Sequence, residues 1–384
     1  MKKGIEASLY IHIPFCASFC DYCDFYSVNI KDVNEDYIAS FINALVKDIK
    51  NQIDFFLVSE IPSVYIGGGT PSVLGKKIKL LLEAFNKINC FTSAKEFTIE
   101  ANPESIDKEF LSICRENGVN RLSLGVQTLN DKSRMAVNRA QNTFVTEKKL
   151  ELASRYFDCN LSVDLITGLP HQSEETVLND INRVLKFGPS HISLYNLTVE
   201  NDTALQEKIK NKTVTLPGID CADSFWLSGR GALLNAGFEH YEVSNFARYG
   251  KRCAHNIRYW RMQNWIAAGP AASGTIINEN ESSAIRFSYS HDTDAYIKNI
   301  NNEKAVYIDN REELDSLTLL KECILMGYRY IDGADPVLFQ NRFGFSIEKC
   351  IPKTLDKWKE KNIMLFLNSF LCEAFLELEK KQAS

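Results

Sequence analysis

The sequence predicts an open, TIM-type parallel α/β barrel of about six βα units, followed by a smaller, mostly helical C-terminal domain. Three observations carry this prediction. Six short apolar or alternating runs, at residues 9–13, 63–66, 96–101, 121–126, 161–166 and 191–197, have the length and composition of buried strands. Between them, residues 35–57, 78–88, 106–117, 143–156 and 174–187 place apolar side chains at helical spacing, and strands that alternate with helices form a parallel sheet that right-handed crossovers curl. Beyond about residue 290 the pattern becomes amphipathic at 292–301, 311–327, 336–343 and 347–361, then reads as a hairpin at 364–371 and a closing helix at 373–381. The expected limits are 1–235 for the barrel, 236–295 for a connecting segment and 296–384 for the C-terminal domain.

Each strand delivers polar groups at its end, where ligands sit in parallel α/β sheets and barrels. The first runs from Tyr10 into Pro14-Phe15-Cys16, and Cys16, Cys20 and Cys23 then follow at C-x3-C-x2-C spacing. Thiolates ligate iron, and a [4Fe–4S] cluster held by three of them keeps one iron open to another ligand. A zinc site would want a fourth nearby Cys or His. The second strand ends in Gly67-Gly68-Gly69-Thr70-Pro71, whose bare backbone lets a ligand approach closely. The third ends in Glu100-Ala101-Asn102-Pro103-Glu104 and the fourth in Gly125-Val126-Gln127, while the fifth carries Asp164 ahead of Gly168-Leu169-Pro170. Glu100, Gln127 and Asp164 suit hydroxyls or an amine. Arg139 suits a carboxylate.

The cysteine spacing, the strand before it and the aromatic Tyr22 just before the third Cys resemble the radical SAM superfamily. That resemblance implies that the open iron is chelated by the amino and carboxylate groups of S-adenosylmethionine (SAM), and that the GGTP turn contacts the methionyl amine. Taken with His12-Ile13-Pro14 and the segment from Glu239 to Ala247, the motifs are similar to the branch that unites oxygen-independent coproporphyrinogen oxidases with heme chaperones. The likeness runs from about Leu9 into the C-terminal region. It implies that Tyr10, Tyr22, Gly68, Gly69, Thr70, Glu100, Gln127, Arg139 and Asp164 form the cofactor-binding set around cluster and SAM.

Two departures separate the activities within that branch. The oxidase pattern adds a cysteine two residues beyond the third, where this chain has Phe25, and it carries a longer arm ahead of a first strand that here begins close to residue 9. Both favour the chaperone side. His255-Asn256-Ile257-Arg258-Tyr259-Trp260 matches an H-N-x-x-Y-W motif which that side associates with heme, so His255 is the expected heme ligand. The stretch 265–273 lacks a His and one Gly of the family version, which weakens the case for a second SAM there. The expected function is delivery of heme to apo-proteins on a cluster-and-SAM core. The alternative is a radical enzyme acting on a porphyrin, either an oxygen-independent coproporphyrinogen III oxidase or an anaerobic heme-degrading enzyme.

Composition narrows the partners. A net charge of −5 offers no basic stripe for nucleic acid, and the lysines at 357–361 alternate with acids as on a solvated helix face. No apolar run is long enough to span a bilayer, and Lys2-Lys3 leads into Gly4-Ile5-Glu6 rather than a signal-peptide core. An odd count of 11 cysteines suits a reducing compartment, so the expected location is cytoplasmic.

Overall fold

The computed structural model describes residues 4–88, 90–91, 94–139, 141–302 and 306–382. Lys2 and Lys3 lie outside the described residues.

All six expected strands form, as β1 (Ser8–Ile13), β2 (Ser63–Gly68), β3 (Glu96–Ala101), β4 (Arg121–Gln127), β5 (Leu161–Thr167) and β6 (His191–Asn196). They lie side by side in chain order and pair in parallel throughout, with helices such as Glu35–Phe56 and Lys108–Glu116 on the outside. Side-chain caps fix where these helices start: Asn34 accepts from the Tyr37 N–H, Asp107 from Phe110, and Ser173 forms a capping box with Thr176.

The sheet extends past both edges. Beyond β6 come β7 (Glu239–His240) and β8 (Asn245–Ala247), with β8 antiparallel to β6. Beyond β1 come β9 (Trp265–Ala268), parallel to it, and then an antiparallel run of β10 (Ser273–Asn278), β11 (Ser283–Ser288) and β12 (Asn310–Leu314). The sheet is therefore twelve-stranded and does not close. The connecting segment thus supplies β9 and β10. A buried carboxylate ties this extension to the barrel. Asp48, on the Glu35–Phe56 helix, accepts from the Tyr289 and Tyr296 hydroxyls at 2.7 Å each, while Gln52 donates to Ala267 O at 2.7 Å.

One large core fills the space between barrel strands and helices. A second gathers Met262, Ile277 and Leu314 with the C-terminal helices. Three expectations there change. Residues 310–314 form edge strand β12, because its partner β11 offers an open ladder. Residues 347–358 form two short helices interrupted before Pro352, which cannot donate to the preceding turn. The expected hairpin at 364–371 is instead a helical turn, Ile363–Phe366, leading into the Leu367–Gln382 helix.

Candidate functional site

The cysteine loop sits at the C-terminal edge of the barrel, held from three sides. Cys16 ends a two-residue strand paired with Val28–Asn29. Asp21 N–H donates to Val137 O at 3.1 Å, its carbonyl accepts from Leu205 N–H at 2.7 Å, and its carboxylate takes Lys208 Nζ at 2.5 Å. Tyr22 packs on Val137, Leu169 and Leu205, so the loop rests on the segments that follow β4, β5 and β6. Cys16 is buried, Cys20 half-buried and Cys23 exposed, and all three are free thiols. Burial pushes the Cys16 thiol up, and Cys23 up to about 11. Among the described residues no three Cys, His, Asp or Glu side chains converge on a single-ion site. A cluster asks for something different, since each thiolate binds its own iron.

The glycine turn after β2 folds over Cys16. A Cβ on Gly69 would stand 2.8 Å from Phe15 O and 3.0 Å from Cys16 Sγ, so only glycine allows this approach. Gly68 has φ +108° and lies flat against the His12 ring. From Thr70 a chain of contacts leads across the strand ends. Its Oγ1 is 3.5 Å from Cys16 Sγ and accepts from Asn102 Nδ2 at 2.9 Å, Asn102 Oδ1 accepts from Arg139 Nη2 at 2.7 Å, and Arg139 Nη1 donates to Cys20 Sγ at 3.2 Å. Arg139 also donates to Gly125 O. Its Nε is buried with no partner among the described residues, a free donor among the strand ends.

Gln127 reaches the same place by a backbone irregularity. The β4–β5 register slips between Gly125 and Gln127, and Gln127 has φ +68°, a left-handed conformation that costs a non-glycine residue about 1 kcal/mol or more. A Cβ on Gly125 would lie 2.8 Å from Asn102 Oδ1, 2.9 Å from Gln127 Nε2 and 3.2 Å from Arg139 Nη2, so these three side chains converge over a glycine.

Deeper in the barrel, Tyr65 donates to Glu100 Oε1 at 2.7 Å, and Ser123 Oγ lies 3.1 Å from Asp164 Oδ2. Burial raises the Glu100 carboxyl to about 7, against the Tyr65 hydrogen bond and with help from nearby Asp164, and burial raises Asp164 too. Tyr10 stacks on Tyr65, centroids 6.3 Å apart, and contacts His12 Nδ1 at 3.2 Å. Tyr195, near the end of β6, exposes 42% of its surface. Polar ends, an unpaired guanidinium nitrogen and a glycine cradle beside three thiols fit a cluster carrying a zwitterionic ligand that also bears hydroxyls.

His255 does not join this site. It lies on the Ala254–Trp260 helix, which closes the opposite, N-terminal end of the barrel. Glu96, at the start of β3, accepts from the Ala254 and His255 N–H groups at 2.9 Å each, and His255 Nδ1 lies 3.0 Å from Ser63 Oγ at the start of β2. Its Nε2 lies 3.0 Å from Tyr259 Oη. The ring is 1% exposed, and burial lowers its pKa to about 3. Both ring nitrogens thus face hydroxyl partners. Strands of this length place the floor roughly 17 Å from the mouth. Heme ligation by His255, as expected above, would require one of these two ring contacts to open. Tyr330 packs at the same closed end, against Tyr241.

The structure brings the three thiols, Arg139 and the glycine turn to one edge, and adds two residues that no motif marks, Asn102 as the link between them and Tyr65 beside Glu100. The strand-end placement of Asn102 was its only signal.

A partial parallel barrel with a three-thiol loop after its first strand and a glycine turn after its second defines a radical SAM protein. The Radical SAM superfamily model matches residues 10–184. Within that class the chain belongs to the HemW heme chaperone family. It is 32% identical over 389 residues to heme chaperone HemW of Haemophilus influenzae, spanning 99% of this chain and 100% of that one. It is 32% identical to the Lactococcus lactis heme chaperone HemW, over 89% of this chain and 86% of that one. It is also 33% identical to the mouse mitochondrial radical S-adenosyl methionine domain-containing protein 1, over 85% of this chain and 74% of that one. In fold it is similar to the Escherichia coli coproporphyrinogen III oxidase HemN, with a TM-score of 0.77 at 22% identity over 97% of this chain and 90% of that one. Membership implies a [4Fe–4S] cluster and SAM. Among the described residues no helix is long and apolar enough to cross a membrane.

Proposed function

We propose that this protein is a heme chaperone, binding heme and passing it to apo-proteins from a radical SAM core. The observation that carries the reading is the end-to-end correspondence with a heme chaperone, 99% of this chain against 100% of the relative. Phe25, 64% exposed where the oxidase pattern has its additional cysteine, supports the chaperone over the oxidase. Eleven free cysteines suit a reducing compartment, so we place the protein in the cytoplasm.

Cys16, Cys20 and Cys23 hold the cluster, and Tyr22 packs the loop in place between two of its ligands. Gly68, Gly69 and Thr70 offer backbone and hydroxyl to the methionyl amine, and Arg139 pairs with the carboxylate through its free Nε. Glu100, Gln127 and Asp164 take the amine or ribose hydroxyls, with Tyr10 and Tyr65 walling the pocket. The cluster, when bound, supplies an electron to the sulfonium. The chain's own task is to position that ligand and exclude water, and Glu100, raised to about 7, is poised to hold a proton near neutral pH.

The test is anaerobic incubation of reconstituted protein with SAM, a reductant and either heme or coproporphyrinogen III, followed by mass spectrometry of the tetrapyrrole and a transfer assay to an apo-acceptor. Intact heme delivered to the acceptor is expected. Protoporphyrinogen IX formed from coproporphyrinogen III, or an opened heme ring, would establish the enzyme instead.

A further inference from the structure

The chain has six histidines, and four of them, His12, His191, His240 and His255, are at most 5% exposed. Of the two exposed ones, His291 sits beside Tyr26 and is followed by Asp292 and Asp294, an acidic setting that repels a carboxylate-bearing ligand. His171 sits in the opposite setting. It lies in the loop after β5 and lines a groove of about 450 Å³ with Lys132, Met135, Ala136, Lys208 and Val214. Among the described residues no acidic side chain lines this groove.

The groove lies at the mouth of the barrel. Its walls come from the segments after β4, β5 and β6, the same edge that carries the cysteine loop. The two are joined physically. Lys208 Nζ binds the carboxylate of Asp21, between Cys20 and Tyr22, and Val214 packs in the same small cluster as the Tyr22 ring. His171 has φ +63°, a strained conformation that Gln172 locks by accepting from Leu169 N–H and donating to Ile166 O, each at 2.9 Å. Held this way, the His171 side chain makes no hydrogen bond or ion pair among the described residues, and neither does the Lys132 side chain. Met135 is 71% exposed, a large apolar and weakly coordinating side chain left open to solvent.

An unengaged imidazole, an exposed thioether, small apolar walls and one unpaired lysine suit one ligand chemistry: a flat, apolar macrocycle with an imidazole-accepting metal and a carboxylate at its edge. Resting on the heme-chaperone reading above, we propose that heme docks in this groove, with His171 as axial ligand, Met135 against the macrocycle and Lys132 pairing with a propionate. Heme would then lie against the cluster loop, and Lys208, shared between groove and Asp21, would report one site to the other.

Titration with ferric heme, followed by the Soret band, tests this in wild type, His171→Ala, Lys132→Glu and His255→Ala proteins with the cluster reconstituted. His171→Ala is expected to lose the imidazole-ligated spectrum and weaken binding at least about tenfold, whereas His255→Ala keeps the wild-type spectrum. Iron-free protoporphyrin IX, read by fluorescence, separates ligation from groove contacts: its affinity should fall in Lys132→Glu and stay unchanged in His171→Ala. Wild-type heme affinity and spectrum in His171→Ala would overturn the site while leaving the chaperone reading intact. Absence of stoichiometric heme binding by the wild-type protein would overturn the reading itself. An unchanged iron content in every variant excludes loss of the cluster as the cause.

Discussion

The two ends of one barrel put their polar groups to different uses. At the floor, His255 has both ring nitrogens partnered and Glu96 caps a helix. His191 likewise contacts Ser162 Oγ at 2.7 Å and Tyr241 Oη at 2.8 Å. At the mouth, three thiols are free, Arg139 Nε is an orphan, Glu100 is raised to about 7 and Gln127 is held at φ +68°. Among the described residues the floor has buried atoms without a partner too, Arg121 Nη2, Arg258 Nε and Trp260 Nε1, so what sets the mouth apart is that an unpaired donor, three thiols and a glycine cradle converge on one place, as a ligand site requires. A motif alone does not make this distinction.

The largest effect separating the two ends is expected from the thiols. Replacing Cys16, Cys20 and Cys23 together by Ala should abolish the cluster while leaving far-UV dichroism intact. Iron and sulfide content with the charge-transfer absorbance would check it, and wild-type values in the variant would mean that other cysteines hold the iron. Next in size is Arg139→Ala, which removes a charge-assisted partner and is expected to weaken SAM binding by about 2–3 kcal/mol, or roughly 30- to 150-fold, with the cluster retained. Calorimetric titration of reconstituted protein reads this directly. Equal affinities would detach Arg139 from the carboxylate.

At the floor the expected effect is on stability. Burial holds the His255 imidazole neutral, with its pKa lowered to about 3, whereas the unfolded chain protonates it near the ordinary 6.5. Unfolding thus takes up a proton between those values. The contribution of this residue is fully present above about pH 6.5 and is lost as the pH falls toward 3. His255→Ala should cost about 2–3 kcal/mol at pH 7.5, because Ser63 and Tyr259 lose a buried partner, and it should flatten the acid limb of the stability curve. Urea midpoints at pH 7.5 and pH 5 suffice. A variant as stable as wild type at both would dissolve the structural role assigned here.

The same contrast explains what was legible in the sequence. Alternating strands and helices are local patterns, so β1 to β6 could be read directly, and the cysteine spacing is local too. The site residues at strand ends followed from topology alone, since parallel strands must present the same end. Edge strand β12, Asn310-Arg311-Glu312-Glu313-Leu314, has no apolar alternation and forms because β11 offers it a ladder. Nor does the H-N-x-x-Y-W string say which end of the barrel its helix will close. That is decided by Glu96 and Ser63, more than a hundred residues earlier in the chain. His171 is not legible in the sequence, because a lone His in a loop carries no pattern and only the fold sets Lys132 and Met135 beside it.

The smallest effect is also the sharpest, because it separates backbone from side chain at the mouth. Gln127 occupies a left-handed conformation that glycine adopts freely, so Gln127→Gly relieves strain in the folded chain while adding freedom to the unfolded one. The two nearly offset, and stability should stay within about 1 kcal/mol of wild type. SAM affinity should nevertheless fall, because the Nε2 that stands beside Asn102 and Arg139 is gone. Measured together by urea denaturation and titration, stability kept with affinity reduced means that the bulge exists to aim this amide. A loss of more than about 2 kcal/mol would instead make Gln127 part of the packing and move it, in kind, to the floor's side of the comparison.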